Sequence, residues 1–256
     1  TVVLDSLPTG NVIIDAVSGD TGEMTVSPAQ LTFTTSNWNT PQTVTITGVD
    51  DEIDDGTINV NVTNTPNAST ADVAYRSLGA ATIVASTRDN DTAGISLALS
   101  GGNNNVTEPN TTDTFTAVLT SEPTGNVVIG VTSSDTTEVT VSPASLTFTS
   151  GNWDTPQTVT LTAANDAVVD GGIISTVTLA INTGSTADSV YDAVVASTTS
   201  VTTTDDDSIG ITLNKTTSTI TEGGSTDAIT ARLDAQPTAT VRLDVASSDT
   251  VQMTVD

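Results

Sequence analysis

The chain has 256 residues, 31 of them acidic and five basic, with no histidine and no cysteine, for a net charge of −26. Its single lysine, Lys215, gives no basic footprint for nucleic acid or for an anionic membrane surface. Without cysteine there is no disulfide framework or thiol chemistry, and without histidine the commonest general base is missing.

Cations are the natural partners of such a surface. Apolar residues make up 36% and aromatics 3%, which suits several thin cores and not one large one. The 55 threonines and 25 serines dominate the rest, and threonine, β-branched and polar, suits a strand face that meets water. No run of about 18 apolar residues marks a membrane span, direct membrane insertion is not expected, and no signal peptide is visible.

From the N-terminus, Pro8-Thr9-Gly10-Asn11-Val12 reads as a turn entering a strand, and Thr25-Val26-Ser27-Pro28-Ala29 as a second strand. Asn37-Trp38-Asn39-Thr40-Pro41-Gln42 then leads into the alternating Thr43-Val44-Thr45-Ile46-Thr47. The acidic run Asp50-Asp51-Glu52-Ile53-Asp54-Asp55-Gly56 follows, and Asp89-Asn90-Asp91 closes the unit. The turn and strand segments return 115 residues later, at Pro123-Thr124-Gly125, Thr140-Val141-Ser142-Pro143 and Asn152-Trp153-Asp154-Thr155-Pro156-Gln157, and Asp205-Asp206-Asp207 again closes the unit. A third copy opens at Ile209-Gly210-Ile211 and includes Gln236-Pro237-Thr238.

A period of this length matches a seven-stranded sandwich and not a solenoid coil. The expected fold is all-β: tandem immunoglobulin-like antiparallel β-sandwiches in an extended array. The acidic triplets set the boundaries. Domain 1, residues 1–91, is expected to lack its first strand; domain 2, residues 92–207, is complete; domain 3, residues 208–256, stops within its fourth strand. In domain 2 the strands are read as A (93–99, resuming near 106), B (114–120), C (126–132), D (139–149), E (157–163), F (173–181) and G (193–203).

If successive strands alternate in direction, the A–B, C–D and E–F loops and the end of G share one pole. Domain 2 brings there Glu108, Asp113, Asp135, Glu138, Asp166, Asp170, Asp205, Asp206 and Asp207. Domain 1 brings Asp20, Glu23, Asp50, Asp51, Glu52, Asp54, Asp55, Asp89 and Asp91, and domain 3 brings Glu222, Asp227 and Asp249. Carboxylates from distant loops do not converge without a counter-charge, because repulsion raises their pKa values or splays the loops. Calcium takes six to eight oxygen ligands in flexible geometry and meets that need; zinc, which prefers His and Cys, does not. The competing reading is that Asp-rich turns are simply solvated.

Thr221-Glu222-Gly223-Gly224, the Asp50–Gly56 run and the terminal acidic triplets resemble the Calx-beta domain of sodium–calcium exchangers and of many bacterial surface proteins. That resemblance implies calcium held by a first-loop Glu, by C–D and E–F acids and by the acids after strand G. On domain 2 those roles fall to Glu108, Asp135, Asp166, Asp170, Asp205, Asp206 and Asp207. Domain 2 departs at Asn165, Ala167 and Val169, where domain 1 has Asp50, Glu52 and Asp54, and is expected to hold fewer ions. The resemblance also implies a bacterial extracellular or cell-surface location.

Trp38 and Trp153, in equivalent D–E turns, either cover the end of a core or stack on a sugar. Six Asn-x-Ser/Thr triplets occur, as chance produces in an Asn- and Thr-rich chain. There is no Ser/His/Asp set, no phosphate-binding glycine loop and no aromatic-lined groove, so no enzyme is expected. The expected function is a calcium-binding stalk of an adhesin-like protein, its junctions stiffened by the ion. The alternatives are a self-assembling subunit of a filament, sheath or surface layer, and a glycan-binding module. Expected partners are neighbouring repeats, identical subunits, or cell-surface and matrix glycans.

Overall fold

A computed structural model describes residues 1–250 and 253–255. It is all-β, with one helical turn and two 3₁₀ turns, and its sheets form tandem immunoglobulin-like sandwiches. The first contains β1 (Val12–Ser18), β2 (Met24–Ser27), β3 (Gln30–Phe33), β4 (Thr45–Gly48), β5 (Ile58–Pro66), the turn α1 (Val73–Arg76) and β6 (Ala81–Thr87). The second contains β7 (Ile95–Leu99), β8 (Asn105–Thr107), β9 (Thr112–Leu119), β10 (Val127–Ser133), β11 (Val139–Ser142), β12 (Ser145–Phe148), β13 (Gln157–Ala163), β14 (Gly172–Ile181) and β15 (Ser197–Thr204).

Domain 2 shows why the alternation makes a sandwich. One sheet runs β11-β13-β9-β7 and the other β12-β10-β14-β15-β8. The inward positions of β9 and β13 are Phe115, Ala117 and Leu119 and Val159, Leu161 and Ala163. They meet Val127, Ile129 and Val131 of β10 and Val177 and Leu179 of β14, all essentially buried. Each large side chain there contributes roughly 1.5–3 kcal/mol by leaving water. The outward positions are largely threonine and serine, so two-residue periodicity alone sorts the faces.

Strands D and G differ from the expected ones. Strand D is not continuous: Pro143 has no N–H to give the ladder, so β11 pairs with β13 while β12 crosses to pair with β10. Strand A runs in the two pieces expected of it, β7 and β8. Gly101 and Gly102, at φ 67° and 84°, turn the chain so that β8 lies parallel to β15 in the opposite sheet. Strand G starts at Ser197, because Tyr191–Ala193 forms a 3₁₀ turn with the Tyr191 ring buried. The Tyr191 hydroxyl donates to Ser121 O at 2.7 Å and accepts from Ser121 N at 3.2 Å.

In domain 1 Val2 bridges Gln42 in the register that Ala117 of β9 holds with Gln157. The sheet β2-β4 has two strands, and the core falls into two clusters, one around Phe33 and one around Met24. Domain 3 shows the hairpin β16 (Ile211–Leu213) and β17 (Ala231–Leu233). Of its expected fourth strand, Val251 and Gln252 lie outside the described residues, as does Asp256.

Trp153 packs against the domain 2 core and Trp38 against the Phe33 cluster, and their carbonyls accept backbone N–H bonds from Leu119 at 3.0 Å and from Leu4 at 3.1 Å. Both act as core covers. Trp153→Ala should destabilise domain 2 by about 2–3 kcal/mol in urea unfolding. A change within error would return both tryptophans to the role of ligand contacts.

Candidate metal centre

The C–D turn is tight in both sandwiches. Met24 N donates to Asp20 O and Val139 N to Asp135 O, each at 3.1 Å, which leaves Glu23 and Glu138 immediately before strand D. Their carbonyls accept from Val49 N and Ala164 N, so each glutamate is sewn to the start of the E–F loop. That loop carries the partners. Glu23 gathers with Asp51 and Asp55, and Glu138 with Asp166 and Asp170, each set offering carboxylate oxygens within 4.8 Å of one another. The three residues of one set are each 115 positions from those of the other. Two sandwiches thus build the same carboxylate triad from the same three places.

A third set joins Glu108, from the end of β8, to Asp206 and Asp207 after β15. It adjoins the second, since Asp166 N donates to Glu108 Oε2 at 3.3 Å. Among the described residues domain 2 therefore has two sets and domain 1 has one. The replacements Asn165, Ala167 and Val169, expected to cost domain 2 ions, fall outside both of its sets.

These groups are not comfortable as neighbouring anions. Glu138 is 5% exposed, and its Oε2 is buried without a hydrogen-bond partner. Burial pushes its carboxyl upward, and Asp170, Glu108, Asp135 and Asp166 push it further. Glu108, also 5% exposed, is raised by burial and by Asp166, Asp170 and Asp205, against the opposing hydrogen bond from Asp166 N. Burial likewise raises Asp55, helped by Glu23, Asp51 and Asp89, and it raises Asp207, whose Oδ2 is buried and unpartnered. The described ion pairs, Lys215 with Asp227 and Arg242 with Asp244, lie in domain 3 and neutralise none of these sets. An all-oxygen donor set of this kind, with buried unpaired carboxylate oxygens, fits a hard cation such as calcium.

Other candidate residues have other work. Asp89 Oδ2 accepts from Asp55 N and Gly56 N, at 2.9 and 2.8 Å, and its Oδ1 accepts from Asp91 N at 2.7 Å. Asp205 repeats this with Asp170 N, Gly171 N and Asp207 N. These backbone donors hold both carboxyls below the ordinary range. Asp20 and Asp135 close their own turns, accepting from Gly22 N and Thr137 N. Asp54 Oδ2 caps Ala93 N of the next domain at 2.7 Å. Asp50 lines an open cleft of about 400 Å³ beside Met24 and Ile46. Asp91 is raised by burial and by Asp89, Asp50, Asp51 and Asp54 but enters no set. Glu222 and Asp249, both exposed, are gathered into none among the described residues.

The linker triplet is therefore divided in role. Asp205→Ala should lower the melting temperature of domain 2 in chelator and in calcium alike, because it orphans backbone donors. Asp206→Asn should leave the chelator value unchanged and reduce only the response to calcium. Identical behaviour of the two variants would refute the division.

Two features escaped the sequence reading. Asp72 and Asp188 are buried caps: each accepts from a threonine N–H and hydroxyl across the C-strand turn, Thr9 and Thr124, at 2.7–3.0 Å. The repeated Ala-Asp before a tyrosine, at 71–72 and 187–188, was the available signal. The other is a backbone contact between consecutive sandwiches.

Fold and site together define a class: an array of β-sandwiches with a carboxylate pole where one unit meets the next. No family model and no curated protein matches the chain. Among solved structures, it is similar to domains 4 and 5 of the S-layer protein SbsC at 14% identity and TM-score 0.31, over 75% of this chain and 70% of that one. A structure of SbsC domains 1–6 matches at 16% identity and TM-score 0.33, over 78% of this chain and 21% of that one. Zebrafish RET cadherin-like domains 1 to 4 match at 9% identity and TM-score 0.29, over 78% and 42%. This chain thus spans about a fifth of the six-domain SbsC structure. No helix among the described residues is long and apolar enough to cross a membrane.

Proposed function

We propose that this chain is a calcium-binding structural segment, Calx-beta-like in its sites, of an extracellular bacterial surface protein of the adhesin type. The observation that carries the reading is the triad built twice, Glu23-Asp51-Asp55 and Glu138-Asp166-Asp170, with Glu138 Oε2 buried and unpaired. Calcium would be held by these residues and, in domain 2, by Glu108, Asp206 and Asp207 as well. Bound there, it supplies positive charge to sets that none of the described ion pairs reaches.

The chain's own residues do the rest. Glu138 ties the C–D turn to the E–F loop, and the E–F loop ties the linker through the Asp170 and Gly171 amides to Asp205. Neutralising the triad therefore steadies the loop that grips the linker, and the array extends as a spacer. The role is mechanical and needs no catalytic group.

Calorimetric titration of the whole chain with calcium tests this reading. Saturable binding is expected, with Glu23→Gln and Glu138→Gln each removing part of it and magnesium competing poorly. Absence of binding at millimolar calcium would end it.

A second reading is a self-assembling filament or surface-layer subunit. Concentration-dependent sedimentation would select it.

A further inference from the structure

Both junctions contain the same backbone contact. At the first, Glu122 N donates to Glu52 O at 2.6 Å; at the second, Gln236 N donates to Ala167 O at 2.5 Å. The acceptors are the tips of the two E–F loops, 115 residues apart, and the donors are equivalent positions before Pro123-Thr124 and Pro237-Thr238. Glu52 and Ala167 share no side-chain chemistry. What recurs is main-chain geometry.

We infer that the E–F loop tip is a docking surface whose partner is the Pro-Thr turn of the following sandwich, and that this joint sets the interdomain arrangement without any cation. The loop is prepared for the task from its own side. Asp55 and Gly56, and again Asp170 and Gly171, donate their amides to the linker carboxylates Asp89 and Asp205, so the loop and the linker form one ring-like unit. A linker of three or four residues cannot fix an angle alone, but a second contact some distance from it removes the remaining rotation.

The joint has a variable element. At the first junction Asp54 adds a carboxylate bond to Ala93 N, the residue that enters domain 2. At the second, Val169 occupies that place and lines an apolar cleft with Ile209, Ile211, Leu233 and Pro237. The backbone bond is thus the shared part of the joint, and position 54 or 169 adds a polar or an apolar clasp to it.

Pulsed electron paramagnetic resonance on the whole chain tests the inference. The chain has no cysteine, so spin labels go on Thr35→Cys and Ser150→Cys, equivalent exposed sites in domains 1 and 2. All measurements are made in chelator, so the result does not depend on the calcium reading and each can fail without the other. A narrow distance distribution is expected. Glu122→Pro, which removes the donor, should raise the population of undocked arrangements about fivefold. Glu122→Ala, which keeps the amide, should not. Should Glu122→Pro impair folding of domain 2, Asp54→Ala decides: it should broaden the distribution, and Asp54→Asn, which retains an acceptor oxygen, should restore it. A distribution already broad in the unsubstituted chain, or equal widths for Pro and Ala at 122 and for Ala and Asn at 54, would overturn the docked joint.

Discussion

The unfolding transition of domain 2 should rise by about 5–10 °C between chelator and millimolar calcium. A ligand that binds only the folded state adds RT ln(1 + [L]/Kd), roughly 2.7 kcal/mol at a hundredfold excess over Kd. For domains near this size each kcal/mol moves the midpoint by several degrees. Glu138→Gln makes the test specific. In chelator it removes a buried, repelled carboxylate and should leave the midpoint unchanged or higher; in calcium it should forfeit most of the gain. A merely structural glutamate would lose stability in both solutions. Scanning calorimetry of the chain and this variant separates the cases, and an unaltered midpoint in calcium for the unsubstituted chain would sink the metal reading.

Asp188→Asn should destabilise domain 2 by about 3 kcal/mol, with calcium or without. The carboxylate is 3% exposed and accepts from Thr124 N, Thr124 Oγ1, Val190 N and Tyr191 N. Turning one acceptor into an amide donor places N–H against N–H and orphans buried groups, each loss worth about 1–3 kcal/mol. Burial alone would raise this carboxyl, but the bonds from Thr124, Val190 and Tyr191 outweigh it and hold it below the ordinary 3.8. A folded value below the unfolded one means that the unfolded chain binds more protons. The stabilisation is therefore present above the ordinary aspartate range and is lost as pH falls through the folded value. Glu108 and Glu138 act in the opposite sense: raised in the folded chain, they subtract stability in chelator as pH rises past the ordinary glutamate value of 4.5. Acid unfolding of the Asp188→Asn chain should begin at higher pH overall but show a shallower dependence in the most acidic part. An unchanged acid profile would mean that Asp188 does not carry this linkage.

Much of the architecture is local information. Side chains alternate with period two in Gln157–Ala163 because the pleat alternates, so an inward Val159, Leu161 and Ala163 can be read without knowing any partner strand. The 115-residue recurrence likewise exposes the units, and the acidic composition exposes a demand for cations. Where a backbone donor disappears, the local rule gives out. Strand D looks continuous from 139 to 149, and only the packed sheets show that Pro143 hands the chain from one to the other.

The site divides in the same way. Asp135, Asp205 and Asp206 are alike as letters, yet Asp135 and Asp205 are engaged by amides and join no carboxylate set, while Asp206 faces Glu108 and Asp207. That choice depends on which N–H groups the folded loops bring within 3 Å. The burial of Glu138 is decided by the strand it precedes and not by its neighbours in sequence. The joint between sandwiches was the least legible feature of all, because a carbonyl oxygen at Glu52 or Ala167 is common to every residue type and only tertiary placement gives it a partner.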